Sequence, residues 1–134
     1  MKKIIYIFVT ICTLLIIDNV HAEKINVKLK TCIDGDTAIF LYNGEKIKAR
    51  FLAIDTPETK YSEKGEMPLG SEASEYTCNI LKNSKNIKLE YDDNSDKTDK
   101  YDRHLVWVWV DNKLLQKELI SIGYAKVSYL YDDY

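Results

Sequence analysis

The stretch Ile33-Asp34-Gly35-Asp36-Thr37 sets two carboxylates around a glycine at the mouth of an alternating apolar run. Acidic groups return at Asp55 and Glu58, with Thr56 and the stiff Pro57 between them. Taken alone, Asp-Gly-Asp is more often a turn than a site, because both residue types suit tight turns. The reading changes if the chain brings the second acidic group to the first. Asn43-Gly44 is a two-residue hairpin signal, and it lies close to midway between Asp36 and Asp55. A hairpin centred there is expected to face Asp36 with Asp55 across the ladder. Carboxylates driven together in this way repel unless a cation sits between them.

The available ligands narrow the metal. Beyond the leader described below, one histidine remains, His104, with two cysteines far apart, Cys32 and Cys78. That is too little nitrogen and sulfur for a zinc cluster. Aspartate oxygens, a backbone carbonyl near Thr56 and water describe a hard-cation site, and an extracellular setting favours calcium over magnesium. Only two of the 19 basic residues are arginine, Arg50 and Arg103. Arginine presents a planar fork that grips phosphate or carboxylate through two bonds, where lysine is a point charge. The two arginines are therefore candidates for an anion grip.

Charge limits the kind of partner. The chain carries a formal net charge of −2, whereas a general nucleic-acid coat protein is basic. Any anion this protein meets is met at a local site.

The segments that must position these residues follow from pattern. Residues 1–22 begin with Lys2 and Lys3, run apolar from Ile4 to Ile17 and close on Val20-His21-Ala22, which reads as a cleaved secretory signal. The apolar run is short for a membrane span. Residues 23–134 are then one small domain, expected outside the cell or at its surface, with no membrane contact unless the signal is retained. Cys32 and Cys78 would there form a single disulfide or remain two small buried thiols.

Ile25 to Ile33, Thr37 to Tyr42 and Lys46 to Ile54 alternate as three antiparallel strands. A helix follows Gly70, with Ser71 as its cap and Ala73, Tyr76, Thr77, Ile80 and Leu81 on one face. Ile87, Leu89 and Tyr91 mark a fourth strand, a polar loop spans 92–102, and Leu105 to Val110 is a fifth. A short helix from Leu114 to Ile122 turns Leu115, Leu119 and Ile122 inward and stops at Gly123. Trp107 and Trp109 read as packing residues. Five strands, with one helix between the third and fourth and a short one after the fifth, predict an α+β, mainly β domain of the oligonucleotide/oligosaccharide-binding (OB) type. No internal repeat or linker interrupts it.

At this point the motifs IDGDT, KARFLAIDTPETK, GSEASEYT, TDKYDR and AKVSYLY resemble, in order and spacing, those of the thermonuclease or staphylococcal nuclease family. The resemblance implies a calcium-dependent phosphodiesterase that cuts DNA and RNA to 3′-phosphorylated products. It implies Asp36 and Asp55 as calcium carboxylates and Thr56 as a carbonyl ligand. Glu58 would orient or deprotonate the attacking water, and Arg50 and Arg103 would bind the scissile phosphate. Lys100 and Tyr101 would contact a terminal phosphate, and Tyr129 and Tyr131 would border the base. A monomer with no stable protein partner is expected. Asp102 stands where the family has glycine; aspartate tolerates the left-handed conformation better than most residues. The family's final C-terminal helix is expected to be missing, since the sequence ends at Asp132-Asp133-Tyr134. The alternative to an enzyme is a catalytically inactive nucleic-acid-binding barrel of the same fold.

Overall fold

The alternating runs become strands of one closed sheet. A computed structural model describes residues 22–128; the leader up to His21 and the tyrosines Tyr129 and Tyr131 lie outside the described residues. β1 (Lys24–Cys32), β2 (Thr37–Tyr42) and β3 (Glu45–Phe51) form an antiparallel meander. Asn43 and Gly44 join β2 to β3 at φ 49° and 84°, the left-handed pair that a type I′ hairpin turn needs. β1 shifts register between Leu29 and Thr31. Such a bulge bends a strand, and the first part of β1 pairs with β5 (Ile87–Glu90) while the second pairs with β2.

β6 (His104–Val110) runs antiparallel to β5 and, at its start, parallel to β3. That last pairing closes the five principal strands into a mixed barrel, the OB-type fold expected from the sequence. Helix α1 (Gly70–Asn83) lies between the third and fourth principal strands, and α2 (Leu115–Ser121) follows the fifth. Three two-residue strands complete the described chain: β4 (Ile54–Asp55), β7 (Lys113–Leu114) and β8 (Lys126–Val127).

The barrel interior is filled by alternate residues. Phe40, Ala49, Phe51, Leu89, Val106 and Val108 are buried, with Leu81 of α1 and Leu115 and Leu119 of α2 closing the core. The outward Trp107 and Trp109 are half-buried, and their indole N–H groups donate to Asp92 and Glu90 at 2.9 and 2.6 Å. Polar side chains are buried as well, Gln116 among them. Gln116 donates to the Val106 carbonyl and accepts from the Val108 amide, at 3.0 and 3.1 Å. It gives the Val108 amide a partner and adds a second donor to the Val106 carbonyl, which also accepts from the Leu52 amide at 3.0 Å.

Three sequence expectations change. The third strand does not run on to Ile54: it ends at Phe51, Ala53 adopts φ 60°, and Ile54 begins β4 paired with β8. The turn lets Ile54 join the core beside Phe51 and Leu52, which strict alternation forbids. Ser71 does not cap α1. Leu69 holds the cap position at φ 66°, and the Ser71 hydroxyl donates to Glu66 at 2.7 Å. Ile122 points outward and is 44% exposed, because α2 ends at Ser121 and Gly123 turns the chain at φ 82°.

Cys32 and Cys78 are joined in a disulfide, tying the end of β1 to the middle of α1 across 46 residues. Closing a loop of that length stabilises a fold by ~4 kcal/mol in the chain-entropy picture.

Candidate active site

The first carboxylates sit in a self-closed turn. The amides of Ile33 and Asp34 both donate to the Thr37 carbonyl at 3.2 Å, and the Asp36 amide donates to Asp34 Oδ1 at 3.1 Å. Asp36 is buried, and four donors surround it. Thr37 Oγ1 reaches Oδ1 at 3.0 Å; the Thr56 amide and hydroxyl reach Oδ2 at 3.0 and 3.1 Å. The fourth is Arg50, whose Nη2 lies 3.3 Å from Oδ2. Gly35 makes this possible, since a Cβ there would fall 2.7 Å from Thr56 Oγ1.

The hairpin geometry corrects one expectation. Thr37 pairs with Arg50, and the Phe51 amide donates to the Asp36 carbonyl at 2.9 Å. Asp36 therefore faces Phe51 across the ladder, not Asp55. The two carboxylates meet instead through Arg50, whose Nη2 is 3.6 Å from Asp55 Oδ1, after the left-handed turn at Ala53 has folded Asp55 back. Arg50 is itself buried and donates through Nη1 to the Phe51 carbonyl at 2.8 Å. Asp55 also meets Lys126, its β8 ladder partner, at 3.8 Å.

Asp34, the other carboxylate of the turn, lines the same cleft. Burial, then the charge of Asp36, push its carboxyl up to about 7, against the pull of the Asp36 amide and Arg50. Burial and a neighbouring carboxylate both disfavour the charged form of Asp34.

Glu58 is placed by backbone packing. Its carbonyl accepts from the Met67 amide at 2.9 Å, and Gly70 lies so close that a Cβ there would collide with that carbonyl oxygen. The loop between β4 and α1 thereby returns Glu58 to the cleft.

The second arginine comes from a different element. Asp99 organises the loop before β6: its Oδ1 accepts from the amides of Tyr101 and Arg103 at 2.9 and 3.0 Å, and its Oδ2 from Arg103 Nε at 2.7 Å. Burial alone would raise the Asp99 carboxyl, but the bonds from the Arg103 backbone and side chain and from Tyr101 hold it below the usual carboxylate range. Asp102 adopts φ 60°, the left-handed conformation that the family glycine position implies. Lys100, the exposed Tyr101 and Arg103 line the cleft together, with the Arg103 guanidinium 5.4 Å from the Tyr101 ring centre.

These residues converge on one open cleft of about 830 Å³. Asp36, Arg50, Asp55, Glu58, Lys100, Tyr101 and Arg103 all line it. Thr56 stands behind Asp36 and lines a smaller neighbouring recess. Tyr129 and Tyr131 lie outside the described residues. Sequence reasoning missed Asp99 and Lys126. Both lie inside quoted motifs, Asp99 in TDKYDR four residues before Arg103 and Lys126 in AKVSYLY, but the role of Lys126 depends on the β4–β8 pairing.

A hard cation fits the donor set, though among the described residues no group of three or more His, Cys, Asp or Glu forms a cage. Asp36 and Asp55 supply oxygen only and lie within 3.6 Å of one Arg50 nitrogen. Carboxylate oxygens placed in this way suit a hard divalent cation.

Comparison with known proteins agrees with this geometry. Residues 48–134 match the family described as staphylococcal nuclease homologue. Endonuclease YncB of Bacillus subtilis is 43% identical over 110 residues, which cover 82% of this chain and 51% of that protein. The SPbeta prophage-derived endonuclease YokF of the same organism is 41% identical over 110 residues, covering 82% and 36%. A thermonuclease of Staphylococcus hyicus is 33% identical over 114 residues, covering 85% and 66%. The chain thus spans about half the length of the first of these relatives and about a third of the second. With two thirds of its length in the family match and the turn, both arginines and the acidic pair gathered in one cleft, the chain belongs to the staphylococcal nuclease homologue family.

Proposed function

We propose that the protein is a secreted, calcium-dependent nuclease that hydrolyses DNA and RNA, leaving 3′-phosphorylated ends. The observation that carries this reading is the convergence of Arg50, Arg103, Asp36, Asp55 and Glu58 on a single open cleft. Attack on a phosphodiester builds negative charge on the nonbridging oxygens, and preorganised positive groups aimed at that charge lower the barrier. Arg50 enters from the barrel wall and Arg103 from the loop before β6, so a phosphate between them is gripped from two sides. Glu58, on a third segment, orients and deprotonates the attacking water. Lys100 and Tyr101 extend the cleft toward a terminal phosphate. Asp36, Asp55 and the Thr56 carbonyl would hold calcium, which when bound neutralises phosphate charge and polarises the P–O bond.

The printed names of the relatives, endonuclease and thermonuclease, support the same reading. The competing reading is an inactive nucleic-acid-binding barrel. One observation favours it: Arg103 is already engaged by Asp99, and Arg50 by two carboxylates. Glu58→Gln separates them. An enzyme loses turnover and keeps its affinity for single-stranded DNA; for a binding module the substitution changes nothing measurable.

A further inference from the structure

The Cys32–Cys78 disulfide lies close to the site. Cys32 is the last residue of β1, paired with Ala38, so the bond grips the chain where the acidic turn begins. One residue before Cys78, the buried Thr77 donates its hydroxyl to the Gly35 carbonyl at 2.9 Å, in the middle of the same turn. Gly35 in turn packs against Thr56, which holds Asp36 Oδ2 with two hydrogen bonds. Two consecutive residues of α1 thus seize the turn at its root and at its apex, and the turn presents the buried Asp36 carboxylate to Arg50.

From this juxtaposition we infer that Cys32, Cys78 and Thr77 are positioning residues: they clamp the 33–36 turn onto α1 and so fix the Asp36 carboxylate for cation binding. The inference rests on the nuclease reading for its purpose. Reduction of the disulfide, by two electrons and two protons from a dithiol, gives two thiols and releases the root of the turn. Thr77 alone then holds the apex, and the site loosens while the barrel, closed by β3 and β6, stays folded.

The test uses the full chain and four variants: C32S/C78S, Thr77→Val, Thr77→Ser, and Val110→Ala as a core truncation at the opposite end of β6. Two quantities are read. One is the calcium dissociation constant by calorimetry. The other is hydrogen exchange of the Thr56 amide by NMR in calcium-free protein, which reports the Asp36 carboxylate directly. C32S/C78S and Thr77→Val are expected to weaken calcium binding by about 10- to 100-fold, the range typical of groups that orient metal ligands. Both are expected to speed Thr56 exchange well beyond Val110→Ala, with Thr77→Ser restoring wild-type values. Should C32S/C78S fail to fold, the two Thr77 variants carry the comparison. Calcium affinity and Thr56 exchange no different from Val110→Ala overturn the clamp and leave the nuclease reading intact. A wild-type protein that binds calcium, loses it in the clamp variants and yet hydrolyses no nucleic acid supports the clamp and overturns the nuclease reading.

Discussion

Thr56 donates both its amide and its hydroxyl to a single oxygen of Asp36, twenty residues earlier in the chain. The contact joins the start of β2 to the end of β4 and fixes an acidic side chain that is buried beside Arg50. Thr56→Val keeps the amide bond and deletes the hydroxyl, leaving a buried carboxylate one donor short. A loss of about 1–3 kcal/mol in urea unfolding is expected, with Thr56→Ser close to wild type. Equal stability of the two variants would show that the hydroxyl bond is dispensable.

Arg50→Lys keeps the charge and loses the fork. The guanidinium reaches the Phe51 carbonyl through one nitrogen and both carboxylates through another, and a single ammonium cannot span those partners. A fall in kcat of roughly 10²- to 10³-fold is expected, the usual cost of losing one preorganised electrostatic group. Near-normal turnover in this variant would contradict the two-armed grip.

Gly70→Ala tests how Glu58 is placed. The new methyl group would collide with the Glu58 carbonyl, which is backbone and cannot rotate away. Destabilisation of about 1–3 kcal/mol is expected from such overpacking, with turnover falling further than stability because Glu58 is displaced. The exposed turn residue Gly65 has nothing within contact distance but sits at φ 80°, so Gly65→Ala costs only backbone strain and is expected to spare turnover. Similar kinetic effects from both substitutions would remove the link between Gly70 and Glu58.

The Asp99 carboxyl titrates below its usual value in the folded protein. A lowered folded-state pKa adds stability that is fully present above the unfolded-state value, near 3.8, and is lost as pH falls through the lower folded value. Asp99→Asn should therefore melt below wild type at neutral pH, with the gap closing below about pH 4. A gap that is constant from pH 7 to pH 3, measured by thermal unfolding, would show that ionisation of Asp99 contributes nothing.

Much of this was legible from residue types in order. Asn43-Gly44 announced the hairpin, the apolar run from Leu105 to Val110 gave the fifth strand, and Ala73, Thr77 and Leu81 gave the buried stripe of α1. The cleft residues were legible because each motif kept its spacing. What stayed hidden depends on backbone conformation that no side-chain pattern marks. Ala53 in the left-handed region ended the third strand early and folded Asp55 back to Arg50, whereas the pairing of Asp36 with Phe51 follows from the hairpin register, in which Tyr42 already faces Glu45. Leu69 in the same region started α1 before Ser71 could cap it. The pairing of Cys32 with Cys78 was open from sequence, since it depends on where α1 crosses the end of β1.

The most direct test of the account is hydrolysis of heat-denatured DNA and of RNA by the purified protein, with calcium, with magnesium and with a calcium chelator, alongside Glu58→Gln. Calcium-dependent release of 3′-phosphorylated products, abolished by the chelator and lowered by roughly 10²-fold or more in Glu58→Gln, is the expected result. A cooperatively folded sample that binds single-stranded DNA but cleaves neither polymer under any of these conditions would contradict it and make the chain a binding barrel.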